Sequence, residues 1–144
     1  MRWKPAFAGL MLVVVMGAME LTQNSMTRSD VVEIRTVISR QIEAFRRDDA
    51  QGAFALVSPG VQHSFGTPER FLHVVRTSYR AVYRPANLSF LDLIVIGGDV
   101  VQQIHVTDHA GGLWVAYFSM QRQRDGSWRM NGCQLLQSVR TISA

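Results

Sequence analysis

QIEAFRRDDAQGAFALVSPGVQHSFGTPERFLHVV, Gln41 to Val75, is the stretch whose reading decides the fold. Apolar residues recur in it at helical spacing, and the recurrence is broken at Ser58-Pro59-Gly60 and again at Gly66-Thr67-Pro68. Proline cannot continue a helix, because its ring removes a donor and clashes with the preceding turn, and glycine accepts the turn that follows. The block therefore divides into short helical segments. The first begins upstream, where Asp30 followed by Glu33 has the spacing of a capping box, with Ser29 as the rival cap. Ile34, Val37, Ile38, Ile42 and Phe45 then share one helical face. Asp48-Asp49 closes that helix and caps a second, Ala50 to Val57, which Ser58-Pro59-Gly60 stops. Val61 to Phe65 has room for one further turn. Thr67-Pro68-Glu69 opens the third helix with a cap, a proline at the first position and an acid in the first turn. Adjacent positions on a helix diverge by about 100°, so Asp48 and Asp49 read as capping residues and not as paired catalytic carboxylates.

From Leu88 the period changes. Four strand-like runs follow, Leu88 to Ile96, Val100 to Thr107, Leu113 to Gln123 and Trp128 to Val139. Their links, Gly97-Gly98, Asp108 to Gly112 and Asp125-Gly126, are hairpin chemistry, which predicts an antiparallel meander. A two-residue Asp125-Gly126 turn places Trp128 across from Gln123 and Met130 across from Gln121. Apolar residues occupy both parities of the first strand, so helices cover one face while the other curves into a lined cavity or meets a second subunit. Helices first and a curved meander afterwards define an α+β fold of about three helices on four strands.

The 144 residues allow one domain of ordinary size, and a hydrophobic content of 47% is enough for a core. Arg2 and Lys4 precede an apolar run, Ala6 to Met19, that Glu20 ends. This is the pattern of a secretory signal, and the run is shorter than the ~17–25 residues of a membrane span. Residues 1–19 are thus expected to be a signal peptide or, if uncleaved, an anchor in the inner membrane. Residues 20–29 read as a polar linker and 30–140 as the domain, exported to the periplasm or secreted. Without the leader, 13 basic stand against 11 acidic residues, a net charge of +2, which is not a nucleic-acid profile. One cysteine, Cys133, excludes an intramolecular disulfide and a cysteine-built zinc site.

Certain elements are similar to a family of bacterial exported proteins, domain of unknown function 4864. They are Asp48-Asp49-Ala50, Ala53-Phe54, Ser58-Pro59-Gly60, Gln62 and Phe65-Gly66-Thr67-Pro68-Glu69 with Phe71, then Tyr83-Arg84-Pro85, then Asp125 to Cys133. The resemblance covers nearly all of Val31 to Val139. It implies an NTF2-like, cystatin-like fold, in which helices pack into a cone-shaped sheet. It implies no activity, cofactor or catalytic residue.

An enzyme of that general fold needs a carboxylate or histidine inside the cone, in an apolar setting that tunes its pKa. Asp92 and His105 are the candidates, since each interrupts an apolar strand. A two-residue Gly97-Gly98 link puts Asp92 opposite Gln103, on the side of His105, and a three-residue link separates them. Tyr79, Tyr83 and Arg84 are the candidate ligand-binding residues, placed where the third helix leads into the cavity mouth. Arg76, Arg80 and Arg84 recur every four residues, as an anion-binding stripe or a solvated face. His63, His73, His105 and His109 show no metal-ligand spacing, and no glycine-rich loop joins a strand to a helix. The expected function is a non-catalytic module that binds a small apolar or anionic molecule or a protein partner, without cofactor, metal or nucleic acid. A homodimer through the outer sheet face is a further expectation. The alternative is a cofactor-free isomerase, dehydratase or hydrolase with Asp92 or His105 as base.

Overall fold

The first helix starts at Thr27 and not at Asp30. In the computed structural model, which describes residues 26–138, the Thr27 hydroxyl accepts the Asp30 N–H and the Asp30 carboxylate accepts the Thr27 N–H, both at 3.0 Å. This is the same reciprocal box that the Asp30/Glu33 spacing offers, one turn earlier. Asp30 is held there by two further donors, Arg122 and the Trp128 indole. The leader and the expected end of the last strand at Val139 lie outside the described residues. Helix α1 (Arg28–Arg46) buries Ile34, Val37, Ile38, Ile42 and Phe45, the face its spacing predicts.

The quoted block folds as three helices and a corner. Asp48 makes the corner in a left-handed conformation, φ 52°, and the Asp49 carboxylate accepts the Gly52 N–H at 2.9 Å to cap α2 (Ala50–Ala55). Ser58-Pro59 does not stop a helix so much as start one. Ser58 caps α3 (Pro59–Phe65), and Pro59 sits in the first turn, where its missing N–H costs nothing. Helix α4 (Pro68–Ser78) opens as expected at Thr67-Pro68. The block converges on the Phe71 ring, whose centroid lies 6.0 Å from Phe45, 5.8 Å from Phe54 and 5.2 Å from Phe65. Tyr79 then leaves helical geometry, and a short α5 (Arg80–Tyr83) follows.

The sheet is a four-stranded antiparallel meander in chain order: β1 (Asn87–Ile96), β2 (Asp99–Thr107), β3 (Leu113–Arg122) and β4 (Trp128–Gln137). Gly97-Gly98 is the two-residue link, both residues at positive φ. The last hairpin differs from expectation. Gln123 accepts from Gly126 and pairs with Ser127, which leaves a three-residue loop with Gly126 at φ 87°. Such a loop is a turn followed by a left-handed glycine, and it moves the register by one. Trp128 therefore faces Arg122, and Met130 faces Met120. The helices cover the face that carries Ile104, Val106, Ala116, Phe118, Met130, Cys133 and Leu135, all buried.

Candidate functional site

The end of the sheet that carries the β2–β3 turn meets the end of the helical lid, and a groove of about 450 Å³ lies between them. Its sheet side is built around Asp108. One oxygen of the Asp108 carboxylate accepts the N–H groups of Ala110 and Gly112 at 3.0 and 2.7 Å. The other accepts the Trp114 indole N–H at 2.8 Å. These donors, the indole first and the Gly112 amide next, hold the carboxyl below the usual carboxylate range. The turn depends on Gly112, because a Cβ there would lie 2.5 Å from the Asp108 carboxylate. Carboxylate, turn and indole form one unit, which fixes the Trp114 ring against the groove with Leu135 beside it.

The lid side carries Ala81, Arg80 and Arg84, with Thr77 and Ser78 from the end of α4. Arg76, Arg80 and Arg84 do not run along one helix, because Tyr79 separates α4 from α5, yet all three border one surface with Tyr83. Their charges have different fates. Asp48 accepts the Tyr83 hydroxyl and pairs with Arg84 at 3.1 Å and Arg76 at 3.8 Å. The Tyr83 bond first, then the two guanidinium groups, lower the Asp48 carboxyl. Arg84 also donates to the Phe45 carbonyl at the end of α1, and its guanidinium lies 3.9 Å above the Tyr83 ring. The exposed Arg80 side chain has no hydrogen bond or ion pair among the described residues.

Of the expected ligand-binding residues, Arg84 lines this groove and Tyr83 borders the adjoining surface, both committed to Asp48. Tyr79 belongs to the core, 2% exposed, and burial pushes its phenol pKa up. The groove also carries Trp114, Asp108 and His109, of which only the Asp108–Gly112 turn leaves a signal in the sequence.

Asp92 and His105 are not inside the cone. Between Phe90 and Leu93 the first strand bulges, so that Leu91 and Asp92 together oppose Gln103. Phe90 and Leu93 both pack on the core, and the two-residue link that was expected to align Asp92 with His105 leaves both exposed. The bulge is fastened by Gln102, whose amide donates to the Leu91 and Gln103 carbonyls at 2.8 Å while Arg35 donates to the Leu91 carbonyl at 3.3 Å. Cys133 is buried, which raises its thiol pKa and removes it as a nucleophile. Among the described residues no group of three His, Cys, Asp or Glu side chains is placed to hold a metal.

A second depression, about 400 Å³, lies at the opposite end of the sheet beside Thr27, Val95 and Trp128. There the cation Arg122 is already paired with Asp30, which its Thr27 partners and Trp128 also hold below the usual carboxylate range. The groove at the β2–β3 end is the one that leaves a charge unanswered.

Helices laid on one face of an open four-stranded antiparallel meander make an α+β fold of the NTF2-like kind. A crystal structure of an NTF2-like protein of unknown function from Shewanella baltica OS155 is similar, with a TM-score of 0.55 and 13% identity over 81% of this chain and 99% of that one. Residues 27–142 match the domain of unknown function DUF4864, and the chain belongs to that family. No curated protein matches the chain.

Proposed function

We propose that the protein is a non-catalytic, exported binding module whose groove between α4–α5 and the β2–β3 turn takes a small ligand. One observation carries the reading: an apolar floor of Trp114, Leu135 and Ala81 is bordered by Arg80, a cation with no partner among the described residues. Ligand sites are mostly apolar with a few polar groups that fix orientation, and a volume of this size suits a small organic molecule. The Trp114 indole N–H, bonded to Asp108 inside the groove, is a built-in reporter. In an NMR fragment screen of the domain, compounds that bind shift the Trp114 indole cross-peak. A diverse fragment set that leaves that peak unmoved refutes the reading.

Export rests on the leader, a positive start followed by the uncharged Ala6 to Met19. Among the described residues no helix is long and apolar enough to cross a membrane. N-terminal sequencing of protein from cell fractions tests the proposal, and an intact Met1 in the cytosolic fraction overturns it. The enzyme reading receives no support from the exposed positions of Asp92 and His105.

A second reading concerns partners. On the outer sheet face Ile94 pairs with Val101 and Val115 with Leu136, and Leu136 is 45% exposed. These apolar pairs favour a homodimer through that face. A one-chain mass in sedimentation at high concentration removes it.

A further inference from the structure

We infer that the ligand of this groove is an organic monoanion with an apolar body, its carboxylate or equivalent head on Arg80 and its body over Trp114. The inference rests on the groove being a binding site and adds the chemical class of its ligand.

The charges around the groove select the class. Arg80 and Arg84 border the lid side and Arg76 the surface adjoining it, a number of cations that would suit a dianion such as a phosphate ester. Asp48 changes that count. Its carboxylate is paired with Arg76 and Arg84 and accepts the Tyr83 hydroxyl, so those groups already have their anion. Of the arginines that line the groove, Arg80 alone has no hydrogen-bond or ion-pair partner among the described residues. On the opposite wall stands Asp108, kept ionised by its three N–H donors. A second negative charge in the ligand would face that carboxylate, with no second arginine free to answer it and only the His109 imidazole nearby. A neutral ligand would leave Arg80 unused, and a cation would be repelled by it. One negative charge is the number that fits.

The body of the ligand follows from the walls. Trp114 cannot turn its indole N–H toward a guest, because Asp108 holds it at 2.8 Å. The ring therefore offers a flat apolar surface, and Leu135 and Ala81 extend it. Flat rings and branched chains bury well on such a surface. Aryl and short alkyl carboxylates combine the two requirements.

The test uses three carboxylates, phenylacetate, 4-phenylbutyrate and hexanoate, each beside its neutral amide. Inorganic phosphate, at a pH of about 8 where the dianion dominates, is the small dianionic probe. Titrations of the Trp114 indole cross-peak, at constant ionic strength, give the affinities. The carboxylates are expected to bind about tenfold tighter than their amides, as a charge-assisted bond to arginine provides. Arg80→Gln brings that ratio to about one, and Arg80→Lys restores part of it. Arg80 is exposed, so neither variant disturbs the core. Equal binding of acid and amide, a ratio unchanged in Arg80→Gln, or phosphate binding as tightly as the carboxylates overturns the monoanion class and leaves the groove standing as a site. Silence of the peak to acids and amides alike overturns both.

Discussion

Two glutamines in this domain have the same burial and opposite circumstances, and the difference predicts opposite signs of mutational effect. Gln41, on the core face of α1, is 0% exposed, and neither its Nε2 nor its Oε1 has a hydrogen-bond partner among the described residues. Gln102, on β2, is also 0% exposed, but its amide donates to the Leu91 and Gln103 carbonyls and its oxygen accepts from Arg35 at 3.4 Å. A buried polar group without a partner loses its hydration and receives nothing in exchange, at a cost of roughly 1–3 kcal/mol. Methionine has nearly the shape of glutamine and no strong polar atom to satisfy. Gln41→Met should therefore stabilise the domain by about 1–3 kcal/mol, since it removes the orphaned groups and keeps the volume. Gln102→Met should destabilise it by about the same 1–3 kcal/mol, because it strips the bulge carbonyl of Leu91 of its best donor. For a domain of this size, one kcal/mol moves the melting temperature by about 4 °C. Urea titrations followed by circular dichroism measure both changes, with unchanged slopes confirming that stability alone has moved. Destabilisation by Gln41→Met would refute the reasoning, since it would mean that the amide is satisfied in solution and Met is not an adequate replacement.

Other predictions follow from named contacts. Phe71→Ala opens a hole where the Phe45, Phe54 and Phe65 rings meet, and should cost about 3–5 kcal/mol in urea unfolding. Gly112→Ala drives a methyl group into the Asp108 carboxylate, so the Trp114 indole proton should move upfield as its hydrogen bond is lost, and ligand affinity should fall. The lowered carboxyls of Asp30, Asp48 and Asp108 contribute stability that is fully present above the unfolded value of 3.8. That contribution is lost as pH falls through their lower folded values. The urea midpoint should accordingly hold steady from neutral pH to about 5 and drop below 4, and Asp48→Asn should start lower at pH 7 with a shallower fall. An identical acid slope in Asp48→Asn would show that its bonds to Tyr83, Arg84 and Arg76 contribute nothing.

Local chemistry was legible in the sequence, and long-range partnership was not. Thr67, Pro68 and Asp49 announce the helix starts they make, because a cap acts on an N–H group three residues away. Gly97-Gly98 announces its hairpin for the same reason. The helix start at Thr27 was misread because Thr27/Asp30 and Asp30/Glu33 have the same spacing, and the choice is made by Arg122 and Trp128 on the far hairpin. Asp92 opposes Gln103 as a two-residue link predicts, but Gln102, Ile104 and Val106 turn inward on β2, so the face that Asp92 shares with His105 is the exposed one. The bulge, which leaves no mark of its own in the sequence, returns Phe90 to the core side.

The groove follows the same rule at the level of charge. The Arg76, Arg80 and Arg84 spacing reads as three equivalent cations, and nothing within four residues distinguishes them. What distinguishes them is Asp48, whose pairing with Arg84 spans 36 positions. Asp48 reads as a helix terminator, and it is one. By turning the chain at φ 52° it also carries its carboxylate to Tyr83, Arg76 and Arg84. The corner of the block that decides the fold thus decides which arginine is left unpaired. Asp48→Asn should weaken that selection: with Arg76 and Arg84 no longer neutralised, the groove should gain affinity for inorganic phosphate relative to hexanoate. A preference for the monoanion that survives Asp48→Asn would mean that Asp108, and not the pairing at Asp48, sets the charge the groove accepts.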